Sequence, residues 1–391
     1  MNELIFVFII LLPIVWYLGF RIGRTKLPAK PNQHQAKLNK KYFAGLNYLL
    51  NEQSDQAIDT FTSMLELDSE AVDIQLALGS LFRKKGEVER SIRIHQNLIA
   101  RPSLSVNERN LALLELGYDY MAAGLLDRAE NIFKELSNDA KYKGASLEQL
   151  LAIYQLTKEW NKAIEVAAKL PHPLSQEKKM DISHYYCELA EEALTNGDHK
   201  SAKILMKKAR MIDPCCVRAT LIAARLYVSN GKHKKALKNY QEIIKQDIVF
   251  LPEAIGSIVN CYAQLEDEKG LQRFLDEAIK SGGGASAILA SAESLKLNNG
   301  KSSAAEFLAS QMEQQPSLKG LLKLIELHIE NNDESAKSSL TMLHEIVTKL
   351  LENKPVYHCG HCGFDSQTLF WQCPSCKSWG SVKPIRGIEG E

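Results

Sequence analysis

The first pattern along the chain is an unbroken apolar run. Leu4 to Phe20 reads LIFVFIILLPIVWYLGF and carries no charge. At helical rise this is about 25 Å, close to the thickness of a bilayer core. The run predicts a transmembrane helix, with Pro13 tolerable inside it and Trp16 and Tyr17 suited to the interface. A cleaved signal peptide would need a basic start and a small-x-small cleavage site. Met1-Asn2-Glu3 is not basic, and Gly19-Phe20-Arg21 is not such a site. Arg21, Arg24, Lys26 and Lys30 follow the run, and no Lys or Arg precedes it. By the positive-inside rule, the bulk of the chain then lies on the cytoplasmic side of a single-pass membrane protein. Residues 1–24 are thus read as anchor and basic flank, and 25–39 as a linker marked by Pro28 and Pro31.

Beyond the linker the pattern becomes helical and repeats. A small residue recurs at Ala57, Ser91, Ala129, Ala163, Ala202, Ala236, Gly270 and Ala304, at spacings of 34, 38, 34, 39, 34, 34 and 34. Companion positions agree. Gly45 and Tyr48 precede Ala57 and Phe61 follows it, while Gly117 and Tyr120 precede Ala129 and Phe133 follows it. Two antiparallel helices that cross closely need a small residue at the contact and an aromatic in the wedge between them. One such pair cannot bury its apolar face alone, so pairs stack. The period and these residue types resemble the tetratricopeptide family over about residues 40 to 316. A further helical pair over about residues 320 to 353 is expected to cap the array. The predicted fold is all-α, a tetratricopeptide superhelix of about eight to nine helix pairs over 40–353. The small and aromatic positions are read as core, leaving partner contacts to residues between them.

Composition changes little in this picture. A net charge of +1 points to no polyanion, so no nucleic-acid partner is expected. Basic runs at Lys203, Lys207, Lys208 and Arg210, and at Lys232, Lys234, Lys235 and Lys238, are read first as solvated helix faces, with an acidic partner or the membrane surface as the alternatives. Cys187, Cys215, Cys216 and Cys261 are read as buried reduced thiols in helices. No nucleophile elbow, zincin motif or phosphate loop is present, and no enzyme activity is expected.

The chemistry-bearing motif is at the end. Cys359 and Cys362 form one C-x2-C, Cys373 and Cys376 another, with ten residues between. Two such knuckles place four thiolates tetrahedrally around one metal, iron or zinc. Four thiols complete the set, so His358 and His361 are read as bystanders. Residues 354–391 are then a rubredoxin-like or zinc-ribbon domain. So short a tail cannot build a large core, which makes the metal its main staple. Tyr357, Phe364, Phe370, Trp371 and Trp379 are expected to pack around the site and against the last helices.

Anchor, repeats and knuckle in this order resemble the lipopolysaccharide assembly protein B family of Gram-negative bacteria. The motif Y-x-C-x-x-C-G-F…W-x-C-P-x-C, from Tyr357 to Cys376, is the most specific part; Lys377 stands where a rubredoxin usually has glycine. The resemblance implies an inner-membrane adaptor that restrains lipopolysaccharide synthesis. Such an adaptor would promote turnover of the lipid A pathway deacetylase by the membrane-bound ATP-dependent FtsH protease, and gather other lipopolysaccharide-synthesis proteins. Two other classes compete with it: a general membrane-tethered scaffold or holdase, and a rubredoxin-type electron carrier.

Overall fold

The computed structural model describes residues 13, 15–21, 33–51, 53–65, 71–331, 334–352 and 354–391. The expected anchor lies mostly outside them. Its described part, Pro13 and residues 15–20, is helical, and Val15, Trp16, Tyr17, Leu18 and Phe20 are exposed. Among the described residues no helix is long and apolar enough to cross a membrane.

Among the described residues, eighteen α-helices follow between Gln33 and Glu352. They are α1 (Gln33–Leu50), α2 (Ser54–Leu65), α3 (Val72–Lys84), α4 (Val88–Ile99), α5 (Val106–Ala122) and α6 (Leu126–Leu136). Next come α7 (Lys143–Leu156), α8 (Trp160–Ala167), α9 (Gln176–Thr195), α10 (His199–Ile212), α11 (Val217–Ser229) and α12 (His233–Asp247). The last are α13 (Pro252–Gln264), α14 (Glu268–Lys280), α15 (Gly284–Asn299), α16 (Lys301–Gln314), α17 (Leu318–Asn331) and α18 (Glu334–Glu352). A 3-10 turn, Ile248–Phe250, joins α12 to α13. The first helix begins inside the stretch assigned above to the linker.

The chain divides into two compact units, residues 1–153 and 154–391. In the first, each helix from α1 to α6 packs on the next, and α3 also packs on α5. In the second, α9 packs on α11, α13 on α15 and α15 on α17, beside the contacts within each pair. All eight small repeat residues are buried. The close approach they serve is steepest at the glycines. A Cβ on Gly45 would meet the Phe61 ring at 2.8 Å, and one on Gly117 would meet Phe133 at 2.8 Å. Methyl groups there would overpack the crossing.

The turns inside five of the pairs share a signature. Gly86, Gly124, Lys158, Gly197 and Gly231 take φ of 85°, 72°, 58°, 76° and 68°. Each stands five residues before the small residue of its repeat. The amide after each bonds back to a carbonyl near the helix end, as in Glu87 N to Phe82 O at 2.8 Å and Lys232 N to Tyr227 O at 2.8 Å. These are Schellman-type ends, in which a left-handed residue satisfies the orphan carbonyls of the first helix.

The cysteine expectation holds for Cys187 and Cys261, buried in α9 and α13, and fails for Cys215. Cys216 is buried but caps α11, with its Sγ 3.8 Å from that of Cys187. Cys215 is exposed, because it sits in the turn before that cap.

Candidate metal centre

The tail after α18 is a three-stranded antiparallel sheet of β1 (Tyr357–Cys359), β2 (Asp365–Ser366) and β3 (Val382–Pro384) in the order β2-β1-β3. The register pairs Cys359 with Val382 and Tyr357 with Ser366. Each C-x2-C is closed by one backbone bond, from Gly363 N to Cys359 O at 3.0 Å and from Lys377 N to Cys373 O at 2.9 Å. Both turns require positive φ, 79° at Gly363 and 61° at Lys377. The lysine at the usual glycine position therefore keeps the left-handed backbone despite its Cβ, and its Nζ donates to Pro374 O at 2.7 Å.

The two turns bring all four sulfurs within 4.8 Å of one another. Cys359 Sγ lies 3.8 Å from Cys376 Sγ, and Cys362 Sγ lies 3.7 Å from Cys373 Sγ. Tetrahedral thiolates about 2.3 Å from a metal stand about 3.8 Å apart, so the four could hold one ion of iron or zinc. Burial works against the Cys359 thiolate, but Ser381 and the amides of Cys362 and His361 outweigh it and bring the thiol down to about 7. The Ser378 hydroxyl and amide bring Cys376 down to about 5. Cys373, buried beside its thiol neighbours, is pushed up to about 11. A thiol ligates only as thiolate, so the donors of the turns favour metal uptake. His358 turns away, its Nδ1 2.7 Å from Asp365 Oδ1. His361 is a hydrogen-bond neighbour of Cys376 and lies outside the four-sulfur cluster.

The knuckle is seated on helices well before the end of the repeats, which corrects the expectation of packing on the last helices. The indole of Trp379 stacks on His184 of α9 at 5.0 Å and 17°, and meets Trp160 of α8 edge-on at 5.8 Å. Trp371 stacks on Phe250 at 5.3 Å. Arg218 of α11 lies beside both indoles, 5.9 Å from Trp371 and 6.0 Å from Trp379. Glu188 and Glu191 of α9 hold its guanidinium at 2.7 and 2.6 Å. Desolvation of Arg218 is thereby offset by two carboxylates, and its planar face is left for the rings. Polar contacts frame the seat: Tyr357 Oη donates to Glu253 Oε1 at 2.5 Å, and Lys383 pairs with Asp247 at 2.7 Å. The last residues reach the later helices. Leu318 N donates to Ile388 O at 2.8 Å, and Ser286 N to Glu391 Oε2 at 2.9 Å. The physical reason is the ring cluster of Trp160, His184, Tyr185 and Phe250, which the two indoles join by stacked and edge-on contacts.

His184, Arg218, Trp160 and Phe250 were not singled out by sequence reasoning. A buried histidine and arginine look like any helical polar residue until their ring partners, 195 and 153 residues away, are known.

Comparison with known proteins agrees with this architecture. Residues 357–384 match the family described as "Rubredoxin metal binding domain", and 76–105 match "Tetratricopeptide repeat". The chain is 38% identical over 391 residues to "Lipopolysaccharide assembly protein B" of Escherichia coli (strain K12), covering 100% of both chains. It is 33% identical over 398 residues to the protein of the same name from Haemophilus influenzae, again covering 100% of both. Identity at this level along the whole length, with repeats and knuckle in the same order, places the chain in the lipopolysaccharide assembly protein B family.

Proposed function

We propose that the protein is a membrane-tethered adaptor in lipopolysaccharide synthesis, whose repeats hold partners and whose knuckle, metallated through Cys359, Cys362, Cys373 and Cys376, locks part of the repeats in shape. The full-length similarity to lipopolysaccharide assembly protein B carries this reading. The seat of the knuckle supports it. Two indoles wedged among α8, α9, α11 and the 3-10 turn make the metal a structural clamp on a binding scaffold. In finer detail, the adaptor holds the lipid A pathway deacetylase for degradation by the membrane-bound FtsH protease. An apolar run at Leu4–Phe20 would confine it to the plane of the protease and raise effective concentration.

The test is the half-life of the deacetylase in cells carrying wild type, a chain lacking residues 1–24, or Cys373→Ser with Cys376→Ser. Stabilised deacetylase in both variants, with the variant proteins still present, is expected. Unchanged turnover, even with the whole gene deleted, would sink the proteolytic role and leave a general scaffold. One observation favours electron transfer as a second reading: Cys362 lies exposed at the edge of the sulfur cluster. A reversible one-electron wave from the purified protein would support it, and a zinc-filled site would end it.

A further inference from the structure

One helix face is left unexplained by repeats, knuckle or partner reading. Between His199 and Ile212, α10 carries Lys200, Lys203, Lys207, Lys208 and Arg210 and no acidic residue. The flanking acids are engaged. Asp198 accepts the amides of Lys200 and Ser201, and Asp213 is buried, accepting from Gln176 and Cys215 N. Among the described residues no carboxylate pairs with Lys200, Lys203, Lys207 or Lys208. The four lysines are exposed, and two large apolar side chains share their face, Ile204 at 58% and Met211 at 72% exposure. Lys200, Ile204, Lys207, Lys208 and Met211 follow helical spacing, so apolar and cationic side chains form one stripe.

A cleft of about 350 Å³ opens along one edge of this stripe. Lys203, Lys207, Arg210 and Tyr227 line it, over Met206 and Leu226. Arg210 is held by Asn239 of α12 at 3.2 Å, and Lys203 Nζ stands 6.0 Å from the Tyr227 ring centroid. The cleft therefore offers converging cations with a phenol beside them, the chemistry that takes up a phosphate. Next to it, α12 adds exposed Lys234, Lys235 and Lys238.

We propose that this outer face of α10 docks on an anionic bilayer surface, with lipid phosphates at the cleft and Ile204 and Met211 dipping into the headgroup layer. Exposed apolar side chains between lysines that no carboxylate pairs are the pattern of interfacial helices. Protein interfaces, by contrast, are depleted in lysine. Polybasic segments gain affinity from each cation near an anionic leaflet. The inference rests on the membrane tethering proposed above, which keeps α10 within reach of lipid.

The full chain is placed in nanodiscs of phosphatidylcholine alone, or with about one third phosphatidylglycerol, and acetylated with a water-soluble amine reagent. Modification is read by mass spectrometry. Acetylation of Lys203, Lys207 and Lys208 is expected to slow about threefold or more in anionic discs and to recover in high salt. Lys280 is expected to label equally in both. Ile204→Asp with Met211→Asp should label like wild type in neutral discs, as a folded chain does, and lose the protection in anionic ones. Equal labelling of wild type in both discs overturns the proposal. Equal protection by inorganic phosphate in neutral discs overturns it in favour of a soluble anion. Protection seen only when cell proteins are added overturns it in favour of an acidic protein. A chain that stays out of neutral discs yet binds anionic ones refutes the anchor and keeps this face. One that stays out of both overturns both.

Discussion

Lys377 shows how a single residue can work against its own backbone. Its φ of 61° closes the second C-x2-C turn, a conformation in which a Cβ costs about 1 kcal/mol relative to glycine. Lys377→Gly is therefore expected to stabilise the metallated knuckle by about 0.5–1 kcal/mol, read as a higher unfolding midpoint. A lower midpoint would mean that the Nζ bond to Pro374 O outweighs the strain. His184 is the second case. Burial, with Arg218 nearby, lowers its pKa from 6.5 to about 3. The unfolded chain then binds the extra proton between those values, so this contribution to stability falls as pH drops from 6.5 towards 3. At pH 5 the loss is about 2 kcal/mol. Asp181 acts in the opposite sense. Burial raises it to about 6, so its folded form gains stability as pH falls from 6 towards 3.8. In wild type the Asp181 gain offsets only part of the His184 loss, and His184→Phe should leave only the Asp181 slope. Stability of that variant should rise relative to wild type between pH 7 and pH 5. Parallel pH profiles of the two would show that His184 titrates normally.

At the scale of elements, the repeat contact is built in two ways. The 16-residue offset that pairs Gly45 with Phe61 and Gly117 with Phe133 also pairs Gly79 with His95. A buried imidazole thus fills an aromatic's wedge, and α5 supplies its partner. Asp119 Oδ2 lies 2.5 Å from His95 Nδ1, and its Oδ1 lies 2.7 Å from Ser91 Oγ and 2.6 Å from Arg83 Nη1. One carboxylate ties α3, α4 and α5 together, and Glu115 shares Arg83 at 2.6 Å. Asp119→Ala leaves the inner imidazole and the guanidinium without their shared acceptor, and should destabilise the first unit by about 3 kcal/mol. Denaturant unfolding of wild type and variant measures it. A loss under about 1 kcal/mol would mean that Glu115 and water take over.

At the scale of the whole chain, the knuckle belongs to the second compact unit and is held by residues from α8 to α17. Removing a metal from the four cysteines should therefore disturb more than the tail. Three of the four tryptophans, Trp160, Trp371 and Trp379, lie in the seat. Chelation is expected to shift tryptophan emission to the red and to lower the unfolding midpoint of the second unit, leaving the first unit's unchanged. Unaltered emission after proven metal loss would show that the aromatic seat holds without its staple.

The sequence by itself determined the repeats and the sulfur set. Both are local: a helical pair is specified by small and aromatic residues within one period, and each C-x2-C turn by the residues it contains. Ala57, Ala129 and Cys359 could be named because neighbours a few residues away define their roles. The turn glycines at Gly86, Gly124, Gly197 and Gly231 are legible too, five residues before Ser91, Ala129, Ala202 and Ala236. Side-chain identity does not carry the series further, since Lys158 takes the same backbone before Ala163 with a different side chain. What only the tertiary structure decided was which surfaces meet. Trp379 on His184, Trp371 on Phe250, and Arg218 beside both indoles join residues far apart in sequence, and aromatic burial has no periodicity that links its two halves. The exposed Ile204 and Met211 were equally hidden, since a helical apolar residue reads as core until its neighbours are seen to leave it bare.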